Sequence, residues 1–184
     1  MKTAIFGGTF DPIHQAHLVV AREAADAFAL DRVLFIPAAR PPHKETSVGY
    51  EHRFRMVELA CAGERRFEPS RLEEGQERSY SINTIERVNA MGGRVFFVIG
   101  ADAFAEIRTW HRWVDVVRSV EFIVVTRPGH EYNSPPEARV LQLETVALPV
   151  SSSEIRQALA RGEMPSEVPP RVADYIRSNG LYLS

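Results

Sequence analysis

The stretch KTAIFGGTFDPIHQAHL, residues 2–18, decides how this chain is read. KTAIF is a short apolar run ending in Gly-Gly, which predicts a buried strand over 2–6. From His14 to Leu30 the residues Leu18, Ala21, Ala25 and Phe28 recur at helical spacing. Asp11 is the expected N-cap of that helix, and Pro12 suits its first position. Glycines between a strand and a helix let the backbone turn tightly and approach a ligand. The helix start then offers free N–H groups and a partial positive charge to an anion. This is phosphate-binding logic, but two familiar forms of it are excluded. No lysine follows at the P-loop distance, and the dinucleotide fingerprint G-x-G-x-x-G is reduced to Gly7-Gly8.

Outward from this stretch, strands and helices alternate. RVLFIP (32–37), RVFFVIG (94–100) and EFIVVTRPG (121–129, broken by Pro-Gly) read as strands. Residues 67–72 form a weaker strand, and 139–148 alternate enough for one or two short ones. Helices are predicted over 50–62, 79–93, 151–162 and 169–180, with capping serines at 151–153 and closing glycines at 92, 162 and 180. ARPPHKETSVG (39–49) is a loop. The alternation implies a doubly wound parallel α/β sheet of Rossmann type with helices on both faces. In such sheets ligands bind beyond the carboxyl ends of the strands, where strand order reverses. The opening stretch leaves the first strand there, and loop 39–49 follows a strand end and would cover the same crevice.

Composition excludes more than it selects. The 184 residues are 45% apolar and 25% charged with a net charge of −2. That is ordinary for a globular chain and gives no sign of a nucleic-acid or membrane surface. The single cysteine, Cys61, lies in an apolar helical pattern and is expected to be a buried thiol. No run approaches the ~20 apolar residues of a membrane span. The N-terminal run is broken by glycines and does not read as a signal peptide. The expectation is a cytoplasmic protein with one domain over 1–184, helical in its C-terminal part 151–184.

His14 and His17 share a helix face. Four readings compete. A zinc site would need two more ligands and has no partner motif. A nucleophilic histidine has no carboxylate orienter nearby in sequence. Two unrelated surface histidines are the bland option. Finally, both imidazoles could donate hydrogen bonds to phosphate oxygens whose charge grows during displacement.

GGTFDPIHQAHL (7–18) resembles the signature of the HxGH nucleotidyltransferases, and more closely that of the bacterial nicotinate-mononucleotide adenylyltransferases. PPHK (41–44), RSYSINTI (78–85), FFVIGADAF (96–104), TWHRW (109–113), TRPG (126–129), VSSSEIRQAL (150–159) and VADYIRSNGLY (172–182) follow in the family's order and span nearly the whole chain. The resemblance implies a Rossmann-type fold. It also implies attack of the 5′-phosphate of nicotinate mononucleotide on the α-phosphorus of ATP, releasing pyrophosphate. Catalysis would fall to His14, His17 and Arg156. ATP would meet Gly7, Gly8, Thr9, Phe10, Gly100, Asp102, Ser152 and Ser153; the mononucleotide would meet Lys44, Thr84, Trp110 and Arg127. Trp110 would stack on the pyridine ring, and Thr84 would offer its backbone N–H to the nicotinate carboxylate. Mg²⁺ would be held mainly by the ATP phosphates and water, with no metal-ligating side chains assigned.

Each role has a plainer alternative. Arg156 reads also as a solvated helix residue, Asp102 as an N-cap, Lys44 and His43 as loop surface, and Trp113 as core. The chain departs from the family pattern at two places: Ala16 stands where glycine is usual, and Asn83 where aspartate is frequent. Other acceptors (nicotinamide mononucleotide, phosphopantetheine) and a non-catalytic nucleotide-binding module are the competing functions.

Overall fold

The computed structural model describes residues 1–146 and 151–183. Six parallel strands form one sheet in the order β3-β2-β1-β4-β5-β6. Central β1 (Lys2–Gly8) has β2 (Arg32–Pro37) and β3 (Phe67–Pro69) on one side. On the other side lie β4 (Arg94–Gly100), β5 (Glu121–Thr126) and β6 (Arg139–Glu144). The doubly wound Rossmann-type expectation is met.

Side chains alternate along each strand, so the sheet has two apolar faces. Ala4, Val33, Phe35, Phe96 and Val98 face α1 (Gln15–Ala27) and α2 (Tyr50–Cys61). Ile5, Leu34, Phe97 and Ile99 face α3 (Ser81–Ala90), α4 (Ala101–Ala105), a 3₁₀ turn (Ile107–Thr109) and α5 (Trp113–Ser119). The late helices α6 (Ser152–Ala160) and α7 (Pro170–Asn179) return to the first face through Ile155, Leu159, Val172 and Ile176. Cys61 is buried in that same core, as its helical setting implied. Trp113 packs against the opposite core.

Strand pairing explains where a ligand can enter. β1 pairs with β4 only from Lys2↔Arg94 to Ile5↔Phe97. Both strands continue, to Gly8 and Gly100, without pairing further. β1 meanwhile stays paired with β2 as far as Gly8↔Pro37. The sheet therefore splits at the β1/β4 switch point, and the split opens a crevice at the carboxyl ends.

Local details correct the sequence reading. β1 runs through both glycines, so the turn is made by Thr9–Ile13 rather than by the glycines. A Cβ on Gly8 would lie 3.1 Å from the Phe10 ring, so glycine here makes room for that ring. Phe10 itself takes a positive φ of 50°. α1 starts at Gln15 with His14 as N-cap. Asp11 is therefore not the cap; it is a buried carboxylate one turn earlier. The 3₁₀ turn and α5 were not foreseen, because runs of three to seven residues carry too little periodicity; α4 is capped by Gly100, so Asp102 lies inside that helix rather than capping it. The strand expected over 139–148 ends at Glu144; residues 147 and 148 lie outside the described set.

Candidate active site

Three adjoining cavities follow the split in the sheet. The first, about 690 Å³, is lined by Gly8–Asp11, His14, His17, Lys44, Glu45, Ser151–Ser153 and Arg156. The second, about 370 Å³, shares Gly8, Thr9 and Lys44 with it and adds Thr84, Trp110, Glu73 and Gly100. The third, about 400 Å³, holds Ala16, Gly100, Asp102, Arg127 and His130. The fold thus gathers His14, His17 and Arg156 around one space, although His17 and Arg156 are 139 positions apart in the chain.

The imidazoles are set by local structure. The His14 N–H donates to His17 Nδ1 at 3.1 Å. A neutral ring accepting at Nδ1 carries its proton on Nε2, so His17 retains one donor. The rings lie 3.9 Å apart at 30°, and Phe6 and Phe10 meet His17 edge-on. Burial lowers the His14 pKa to about 4, with Glu167 opposing. Burial, then the neighbouring His14, also drives His17 well below its ordinary value. Both rings are therefore neutral hydrogen-bond donors at pH 7, and the positive charge of the cavity comes from Arg156 and Lys44.

This has a measurable sign. The unfolded chain protonates His14 near pH 6.5, while the folded chain resists protonation until about 4. Between those values the unfolded state binds more protons, so stability falls as pH drops through that window. The loss for His14 should be on the order of 3 kcal/mol. Urea unfolding at pH 7, 5.5 and 4.5 checks it: H14Q should flatten the slope, and an equal slope in both proteins contradicts the assignment.

Arg156 donates to the Asp11 carbonyl at 2.8 Å, which uses one of five N–H donors. Ser151 is the N-cap of α6, in a reciprocal pair with Glu154. Ser152 donates to the Pro12 carbonyl at 3.0 Å and fastens α6 to the turn after β1. Thus Ser152 is partly committed to structure, while exposed Ser153 lines the cavity.

Phe10 borders the first cavity, while its ring, in a residue 2% exposed, is wedged among Phe6, Phe35 and His17 in the core. One expected residue is placed differently. Arg127 does not join Trp110 and Thr84. It leaves β5, the strand beyond β4, and so lines the cavity of Asp102, whose carboxylate lies 3.6 Å from His130 Nε2. Trp110 meets Phe97 edge-on at 5.9 Å and faces the cavity of Thr84 and Lys44. Thr84 is buried and donates its hydroxyl to Glu73 at 2.7 Å. Ala16 lines the Asp102 cavity; Asn83 is exposed on α3.

Sequence reasoning missed Arg53 and Glu73. Arg53 is 1% exposed, and its guanidinium donates to the carbonyls of Thr9 and Ala38, both at 2.8 Å, with Val48 and Ala39 further off. It buttresses the turns after β1 and β2. An arginine one position before an apolar stripe (Phe54, Val57, Cys61) was the available signal. Glu73 carried none, since it lies in a charged, irregular run.

The cytidylyltransferase-like family model matches residues 5–158. A probable nicotinate-nucleotide adenylyltransferase of Solibacter usitatus is 60% identical over 187 residues, covering 99% of this chain and 100% of its own. One from Pelobacter propionicus is 41% identical, covering 99% and 98%. The solved structure of Plasmodium falciparum nicotinic acid mononucleotide adenylyltransferase complexed with NaAD superposes with a TM-score of 0.82. At 19% identity over 98% of this chain and 97% of that one, it bears on the fold alone.

Proposed function

The chain belongs to the cytidylyltransferase-like family, among the nicotinate-nucleotide adenylyltransferases. From that membership and the divided crevice we infer that it transfers the adenylyl group of ATP to the 5′-phosphate of nicotinate mononucleotide. The products are nicotinate adenine dinucleotide and pyrophosphate, a step of NAD biosynthesis. The observation that carries the assignment of roles is the convergence of His14, His17 and Arg156 on one cavity beside the Trp110 pocket.

The triphosphate lies in the His14–Arg156 cavity, with adenosine directed toward Ala16, Asp102 and Arg127. The mononucleotide occupies the Trp110 pocket, its phosphate turned toward Thr9 and toward Lys44, which also lines the triphosphate cavity. A phosphate oxygen forms the new bond to the α-phosphorus as the α–β bridge breaks, and its electrons leave with pyrophosphate. The nucleophile is already anionic, so no general base is required, and catalysis reduces to alignment and charge stabilisation. His17 Nε2–H and the His14 ring donate to the phosphates, and Arg156 takes the charge that builds on the leaving group. The nicotinate carboxylate is received by main-chain N–H groups in the first turn of α3, where Ser81 and Thr84 line the pocket; the Thr84 hydroxyl hydrogen is already committed to Glu73. Among the described residues no group of three or more His, Cys, Asp or Glu side chains stands together as metal ligands. A Mg²⁺ ion carried by the ATP phosphates and water fits that surface, and when bound it supplies further charge neutralisation.

The test supplies ATP and Mg²⁺ with nicotinate or nicotinamide mononucleotide in parallel. Dinucleotide and pyrophosphate should appear with the acid at clearly higher kcat/KM. No product from well-folded protein would refute the reading. Trp110→Ala should raise the mononucleotide KM about tenfold, the scale of a lost ring stack, with ATP binding nearly kept. Equal losses for both substrates would make Trp110 structural.

A further inference from the structure

Asp11 is 3% exposed, and every polar atom of its carboxylate is taken by a distant part of the chain. The Tyr182 hydroxyl donates to Oδ1 at 2.7 Å. The Ser47 main-chain N–H donates to Oδ2 at 2.7 Å. The Asp11 carbonyl in turn accepts from Arg156. Two non-glycine residues at this junction have left-handed backbone, Phe10 with φ of 50° and Tyr182 with φ of 63°. Such conformations persist where surrounding contacts enforce them, and they gather at working sites.

Ser47 ends the loop that carries Lys44. At its other end Arg40 and Ser79 exchange hydrogen bonds. Among the described residues no hydrogen bond ties 41–46 to another element, so the Ser47 N–H, next to the Val48 carbonyl held by Arg53, anchors the far end of the loop. The placement matters, because Lys44 and Glu45 both line the cavity with opposite charges, and Lys44 alone of the two also borders the neighbouring pocket. A small shift of the loop would change the balance of ammonium and carboxylate beside a polyanion. Burial and the Asp11 carboxylate hold the Tyr182 phenol far above its ordinary pKa, so it remains a donor throughout the working range.

We propose that Tyr182, Asp11 and the Ser47 N–H form a clamp that holds Lys44 at the triphosphate cavity. Tyr182 and Asp11 are thus positioning residues for adenylyl transfer. The proposal rests on the reading of this cavity as the triphosphate site.

The test is a double-mutant cycle on the full chain, measuring the ATP KM with nicotinate mononucleotide saturating. K44A alone should raise the ATP KM about tenfold, the scale of a charge-assisted hydrogen bond. In a Y182F background, K44A should raise it by less than about threefold, because coupled residues fail to add. A merely structural Tyr182 would lower Tm while leaving the full K44A factor in place. S47P removes the loop's donor within an exposed segment and decides the matter if Y182F folds poorly; the K44A factor should collapse there too. An undiminished K44A factor in these backgrounds overturns the clamp and leaves the cavity assignment standing. A K44A enzyme with native KM overturns both.

Discussion

Replacing His17 by alanine lowers kcat by about 10² to 10³, the scale for losing one preorganised donor to a developing phosphate charge. The structure sharpens why. His17 Nδ1 is already occupied by the His14 N–H, so Nε2–H is the only donor the neutral ring has left. An interaction made chiefly in the transition state affects kcat more than KM. The substitution also removes a contact at the start of α1, worth about 1 kcal/mol by analogy with helix capping, so turnover must be compared on protein verified as folded. His17→Gln, which carries an N–H at similar reach, should recover part of the rate. An alanine variant with native kcat removes His17 from the reaction.

Arg53→Met produces the largest loss of stability, about 3–5 kcal/mol, since it strips partners from carbonyls sealed inside the protein. For a chain of this length that lowers Tm by about 10 °C. Burial depresses the guanidinium pKa and Asp11 opposes that shift, so removing Arg53 also leaves Asp11 with less nearby positive charge. Arg53→Lys should rescue incompletely, because an ammonium cannot reproduce a planar fork spanning the Thr9 and Ala38 carbonyls. Activity should fall alongside stability, as both turns that floor the crevice hang from this side chain. A methionine variant melting within a degree or two of the parent contradicts the account.

The sheet and its alternation were legible because both faces are covered, so strands such as RVLFIP are nearly continuous apolar runs. The histidines and Arg156 were legible through their motifs and the family resemblance those motifs carry, and the fold brings all three to one cavity. Other features were hidden for physical reasons. Asp11 looks like a helix cap in sequence, and only long-range partners, Ser47 and Tyr182, reveal its actual place. Trp110 follows β4 and Arg127 leaves β5, and they line different cavities that meet at Gly100, a division linear order cannot show. The inward orientation of Arg53 depends on carbonyls presented by two turns that do not exist until the sheet has assembled.

Arg156 meets Asp11 across 145 positions and Tyr182 meets it across 171. During synthesis, the ribosome can release all six strands before either of these side chains has emerged. The cradle is therefore completed only when α6 and the segment carrying Tyr182 pack against the turn after β1.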